Sequence, residues 1–197
     1  DVTVRKPTAP SEGAVAEEAR KGYDLLFIGL KNTRGKDGGF HGDIARVASG
    51  FEGPFAISAG KGVHLEQPER SPLHILVPVN GTEVSRRAAD MALAIARACG
   101  CPITALYVAA GAAGNPRKRR GFRARREEQA IMKDIVEMAD HHDVTVKTVM
   151  HADVTPDKAI LDQLKSAEHD LIVMGVSRRP GDKLFFGDTA AAVLEKS

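Results

Sequence analysis

Glycine followed by aspartate recurs where a strand would hand over to a helix. The run Asp170–Gly175, DLIVMG, is apolar with no polar alternation, the pattern of a strand buried on both faces. A loop rich in Gly, Pro and Arg follows, and Gly187-Asp188-Thr189 then opens an Ala-rich helix. Strand, glycine loop and helix N-terminus together form the local geometry that binds phosphate. Glycine lets the backbone come close, and the free N–H groups of the first helical turn point at the anion. The same geometry also serves simply as a tight strand-to-helix turn, so both readings stand here. An aspartate at the helix start caps well but repels phosphate. Arg178, Arg179 and Lys183 would offset that, because guanidinium pairs strongly with phosphate oxygens.

Other residue types capable of chemistry are scattered. Seven basic residues lie between Arg117 and Arg126; removing them from the chain's 28 leaves 21 against 26 acidic residues, so the basic character is local. That segment suits an anionic ligand, an acidic membrane surface or nucleic acid, or else is a solvated loop entering a helix. Phe122 is its one aromatic residue, so base stacking has little support and nucleic acid is not the expected partner. His141-His142-Asp143 and His151-Ala152-Asp153 hold metal-ligand residue types without the helical i, i+4 pair of a zinc protease, and no metal site is expected. Cys99 and Cys101 are too few for structural zinc and are expected to be reduced thiols at a helix end. Gly175-Val176-Ser177 lacks the last glycine of a nucleophile elbow, so no hydrolase follows.

The elements that must position these residues come in a repeat. DLLFIG at Asp24–Gly29 parallels DLIVMG, Gly42-Asp43 parallels Gly187-Asp188, and DVTV at Asp1 recurs at Asp143. Residues 1–60 read as the later part of one α/β unit: a strand at Asp1–Val4, a helix from Ser11 to about Arg20, a strand at Leu25–Ile28, a helix capped by Asp43, and a strand at Phe55–Ser58. Residues 61–72 are polar, carry Gly and Pro, and read as a linker. Residues 73–197 read as a second unit. Strands are expected at His74–Val79, Ile103–Val108, Val144–Val149 and Leu171–Met174. Pro78 lacks an N–H, so pairing on that side should lapse there. Thr82 caps a helix to Cys99 with Val84, Ala88, Met91, Ala92, Ile95 and Cys99 at helical spacing, and Gly100 suits the position past its end. A helix from about Ala124 to His141 buries Ile131, Ile135 and Met138. Thr155-Pro156 starts a helix burying Ile160, Leu164 and Ala167. Strand–helix alternation with short connections means a parallel sheet with helices on both faces, and ligands at the carboxyl ends of the strands.

On these residues the chain resembles the universal stress protein family, over essentially its whole length. Ile75-Leu76-Val77-Pro78-Val79 is similar to that family's first strand, and GVSRRPGDKLFFGDTAAAVLEKS resembles the cytosolic tails of bacterial cation/proton antiporters that end in such domains. The resemblance implies a Rossmann-like α/β fold, a five-stranded parallel sheet of order 3-2-1-4-5, and tandem copies, with the second copy lacking its last strand. ATP-binding members carry Gly-x2-Gly-x9-Gly-Ser/Thr after the fourth strand. Here Arg178 stands at the second glycine, Gly187 comes one residue early, Asp188 replaces the Ser/Thr, and Asn80 replaces the aspartate that ends the first strand. In the first copy Gly29, Asn32, Gly42 and Asp43 keep the spacing but also lack the second glycine.

The family's binding positions fall on Asn80, Val108, Met174, Gly175, Arg178, Arg179, Gly187 and Asp188. The resemblance thus implies a non-catalytic regulatory or sensory module, the cytosolic domain of a monovalent cation/proton antiporter. The alternative it leaves is a soluble ATP-binding stress protein with weak ATPase activity. No cofactor is required; ATP or another adenine nucleotide is the candidate ligand. The expected partners are a second copy in a twofold homodimer, paired through Phe55–Ser58, and a transporter domain in the same parent chain. No run reaches the roughly 20 apolar residues of a membrane span, so the expected place is the cytoplasm, on the membrane's cytosolic face in the antiporter reading.

Overall fold

The computed structural model describes residues 21, 23, 25–30, 53–60, 66, 73–109, 122–152, 154–176 and 187–197. They fall into two units. In the first, β1 (Leu26–Leu30) pairs in parallel with β2 (Phe55–Ala59), from Leu26 opposite Phe55 to Leu30 opposite Ala59. Against the expected Leu25–Ile28 and Phe55–Ser58, the first strand begins one residue later and runs two further, and the second runs one further. Tyr23, Leu25 and Phe27, two residues apart, are exposed apolar side chains. The segments expected at Asp1–Val4, Ser11–Arg20 and Asp43 onward lie outside the described residues.

The second unit alternates β3 (Ile75–Val79), α1 (Glu83–Cys99), β4 (Ile103–Ala109), α2 (Phe122–His141), β5 (Val146–Ala152), α3 (Pro156–Ser166), β6 (Leu171–Ile172) and α4 (Asp188–Lys196). Its sheet has the order β5-β4-β3-β6, with every pair parallel. The described residues thus form a four-stranded and a two-stranded sheet, and no five-stranded one. Among the described residues the next element after β6 is a helix, and β6 keeps an open outer edge.

Alternate residues of the strands feed two cores. Ile75, Val77, Val79, Ile103 and Ala105 meet Ala89, Leu93 and Ala96 of α1 and Ile135 and Ala139 of α2. Leu76 and Leu106, from the other face, meet Ile160 of α3 and Val193 of α4, with Val108, Val149, Leu164, Ile172 and Met174 around them. A sheet buried on both faces needs near-continuous apolar strands, which is what ILVPV and ITALYVA supply.

Pro78 shapes the sheet as its chemistry requires. The N–H of Ile75 bonds the Pro102 carbonyl toward β4, whereas the carbonyls of His74 and Leu76 accept from Leu171 and Val173 toward β6. Strand residues alternate sides, so the N–H that Pro78 lacks would have faced β6. The β3–β4 ladder runs through Pro78 opposite Leu106, while the β3–β6 ladder stops at Leu76 opposite Ile172. The expected strand Leu171–Met174 is therefore only Leu171–Ile172, and its side chains are half-buried because it is an edge.

The helix ends follow the sequence, but two buried stripes do not. Thr82 accepts from the Ser85 N–H at 3.3 Å, and Gly100 closes α1 in the left-handed region at φ 62°. The buried face of α1 is Ser85, Ala88, Ala89, Ala92, Leu93 and Ala96, one residue round from the expected stripe. Val84, Met91 and Ile95 flank it half-buried and Cys99 is exposed. Small side chains take the inner positions because they let the helix come close to the sheet. In α2 Ile135 and Met138 are buried as expected and Ile131 is half-buried. In α3 the buried residues are Ala159, Ile160 and Gln163; Ala167 lies past the end in extended conformation. Gln163 is tolerated there because its carboxamide oxygen accepts from His151 Nε2 at 3.4 Å.

At the N-terminal edge of the sheet, His74 and His169 precede β3 and β6 and stack with ring centroids 4.3 Å apart. Asp170 accepts from the His74 N–H at 3.1 Å.

Candidate functional site

Parallel strands leave the first turns of their helices at the carboxyl edge of the sheet, and the crevice lies where chain winding changes direction, here between β3 and β6. Asn80 follows β3. Its side-chain oxygen accepts from the Thr82 N–H at 3.1 Å and the Thr82 hydroxyl at 2.7 Å, and its own N–H donates to Ser85 Oγ at 3.3 Å. Ser85 Oγ in turn donates to the Thr82 carbonyl at 2.9 Å. Asn80, Thr82 and Ser85 thus lock the turn from β3 into α1. Gly175, past β6, reaches the same turn from the other side. A Cβ built on it would overlap the Val84 carbonyl and lie 2.8 Å from the Ser85 nitrogen. This glycine is needed because another segment's main chain occupies the space of its side chain.

The structure therefore brings Asn80 and Gly175 together around Ser85. Val108 and Met174, half-buried, pack against the second core of Leu76, Leu106, Ile160 and Val193. Gly187 precedes α4 with φ 87° and supplies no side-chain cap, and Asp188 is exposed in the first turn. Arg178, Arg179 and Lys183 lie outside the described residues, as do Asn32, Gly42 and Asp43. Gly29 is in β1.

Among the described residues, three helix starts at this edge carry an acid. The first turns of α1, α3 and α4 carry Glu83, Asp157 and Asp188, each set against the positive helix end that a phosphate would use. A hydrogen bond with the Thr155 side chain holds the Asp157 carboxyl below the usual range. Only α2 has no acid there; Arg125 and Arg126 lie early in it instead.

The histidines singled out for metal are engaged singly. His141 Nδ1 donates to the Glu137 carbonyl, His142 Nε2 lies 2.8 Å from Asp90, and His151 serves Gln163. Among the described residues no group of three or more His, Cys, Asp or Glu is placed to hold a metal ion. A shallow groove between α1 and α2 is lined by Arg86, Asp90, Asp134 and His142 among others, and holds none of the expected binding residues. Arg86 is tied to Asp134 at 3.0 Å, so its charge is answered within the groove.

Sequence reasoning missed Ser85 as the hub of this edge. Its spacing from Thr82, cap to third helical residue, was the available signal, since that is where a capping partner sits.

The Universal stress protein family matches residues 73–197. A universal stress protein from Archaeoglobus fulgidus DSM 4304 is similar at 19% identity and TM-score 0.57, covering 93% of this chain and 62% of its own. Another from Archaeoglobus fulgidus has 22% identity and TM-score 0.53, covering 64% of this chain and 94% of its own. The universal stress protein from Archaeoglobus fulgidus in complex with dAMP has 17% identity and TM-score 0.51, covering 64% of this chain and 92% of its own. No curated protein matches the chain. Among the described residues no helix is long and apolar enough to cross a membrane.

Proposed function

The chain belongs to the universal stress protein family, and from that premise we propose that it is a non-catalytic regulatory module. The observation that carries this reading is the filled turn from β3 into α1, with Gly175 against it. Asn80 spends its side-chain oxygen on Thr82, and Gly175 presses against the first turn of α1 where phosphates would need open main-chain N–H groups. Acids at three helix starts add a like charge. In the full form of this reading, residues 1–60 and 73–197 are tandem copies joined by residues 61–72, each drawn from a 3-2-1-4-5 sheet. The parent protein is a monovalent cation/proton antiporter, with this module on the cytosolic face. The module works as a homodimer.

The second reading is an ATP-binding stress protein with weak ATPase activity. It is favoured by the relative solved in complex with dAMP. Equilibrium dialysis with ATP, with phosphate release followed on the same samples, separates the two. The regulatory reading expects binding no tighter than about 1 mM, roughly −4 kcal/mol, and no release above the blank. Saturable micromolar binding with turnover would replace it by the second.

A further inference from the structure

The chain has two cysteines, and both sit at one corner of the fold. Cys99 ends α1, Gly100 takes the left-handed conformation, and Cys101 leads into β4. The Gly100 N–H bonds the Arg97 carbonyl at 3.4 Å and the Cys101 N–H bonds the Ala96 carbonyl at 3.1 Å. This is the Schellman arrangement, which reverses the chain within one residue and fixes the cysteines on either side of the glycine. Cys101 packs half-buried against the first core beside Ala96, while Cys99 is exposed. A Cβ at Gly100 would meet nothing within 4 Å, so the corner is open on that side.

We infer that Cys99 and Cys101 form a reversible dithiol–disulfide site that exchanges with a low-molecular-weight disulfide such as oxidised glutathione. The unequal exposure sets the order of events. Burial first, and then the neighbouring Cys99, hold the Cys101 thiol above its ordinary range, and the Cys99 side chain hydrogen-bonds it. Cys101 is thus the poorer first nucleophile and stands ready beside its partner. The Cys99 thiolate attacks one sulfur of the glutathione disulfide, and one glutathione thiolate leaves. The Cys101 thiolate then attacks the Cys99 sulfur and expels the second glutathione. The protein loses two hydrogens as it is oxidised to one disulfide, and the two glutathiones gain them. A ring closed over a single intervening residue is strained, and strained disulfides belong to the readily reduced class. The site is therefore a reversible responder.

The test is intact-mass analysis of the full chain after incubation with oxidised glutathione, then with dithiothreitol. With two cysteines in the sequence, every thiol event is assignable. The wild type should lose two hydrogens as a monomeric, internal disulfide without a lasting adduct, and regain them on reduction. Cys101→Ser should accumulate one glutathione on Cys99, and Cys99→Ser should react at least several-fold more slowly than Cys101→Ser. Matching circular dichroism of the reduced proteins controls for folding. A wild type that accumulates glutathione adducts, links two chains, or stays reduced while Cys101→Ser reacts would overturn the assignment.

Discussion

The side-chain position of Gly175 is occupied by the main chain of Val84: a Cβ there would overlap the Val84 carbonyl. The end of β6 and the start of α1, far apart in sequence, therefore meet backbone to backbone. Inserting even one methyl group forces the helix start away from the sheet. Gly175→Ala should cost about 1–3 kcal/mol, the range for overpacking a closed contact, read as a fall in urea midpoint at unchanged slope. A midpoint within error of wild type would show that the two segments are not in contact.

This contact marks the boundary of what the sequence could tell. The caps at Thr82 and Gly100 and the lapse at Pro78 were legible because each depends on one residue's own stereochemistry. The direction of that lapse was not, since it needs the identity of the strand on each side. The buried stripe of α1 was placed one residue off because hydrophobicity favours Val84, Met91 and Ile95. Close approach to the sheet keeps Ala88 and Ala92, which the sequence includes, and turns Ser85, Ala89, Leu93 and Ala96 inward beside them. For the binding positions the resemblance supplies the residues but not their packing: that Gly175 lies against the main chain of Val84, and that Met174 and Val108 lie against the core under α3 and α4, needs the fold.

Stability should fall in mild acid through His169. Burial chiefly holds its imidazole below the ordinary 6.5; His74 and Lys147 push the same way, while the Ala167 carbonyl and Asp170 oppose. Nδ1 donates to the Ala167 carbonyl at 3.1 Å, leaving Nε2 buried without a partner among the described residues. Above about pH 6.5 the ring is neutral folded and unfolded and contributes no pH dependence. As pH falls below that value the unfolded chain takes the proton first, so stability drops until the folded pKa is passed. His169→Asn, whose amide can replace Nδ1, should show a smaller loss of urea midpoint between pH 7.5 and 5.5 than wild type. Equal losses would remove His169 from the account.

Asp188 gives the anion question a direct handle. It is exposed in the first turn of α4, where its charge opposes that of a bound phosphate. A charge at a helix start is worth about 0.3–1 kcal/mol, so Asp188→Ser should tighten ATP binding about two- to fivefold if the nucleotide sits at this edge. The same change should lower stability by a similar small amount. Unchanged affinity measured by dialysis would place any bound nucleotide elsewhere.

The outer edge of β6 predicts association. β6 pairs with β3 on one side and has no strand on the other among the described residues, and in the first unit β2 likewise pairs only with β1. Open edges present rows of main-chain donors and acceptors that water satisfies poorly beside apolar side chains, and another strand satisfies them well. Self-complementary closure around a twofold axis is the commonest way to cover such edges. Strand β2, with Phe55, Ile57 and Ala59 two residues apart, has the composition to do so. Light scattering should therefore give twice the chain mass of 21.1 kDa. Phe55→Asp should shift the equilibrium toward monomer by placing a charge at the start of the pairing strand, with circular dichroism confirming retained structure. A wild-type monomer, or a dimer that Phe55→Asp leaves unchanged, would show that these edges are covered within one chain.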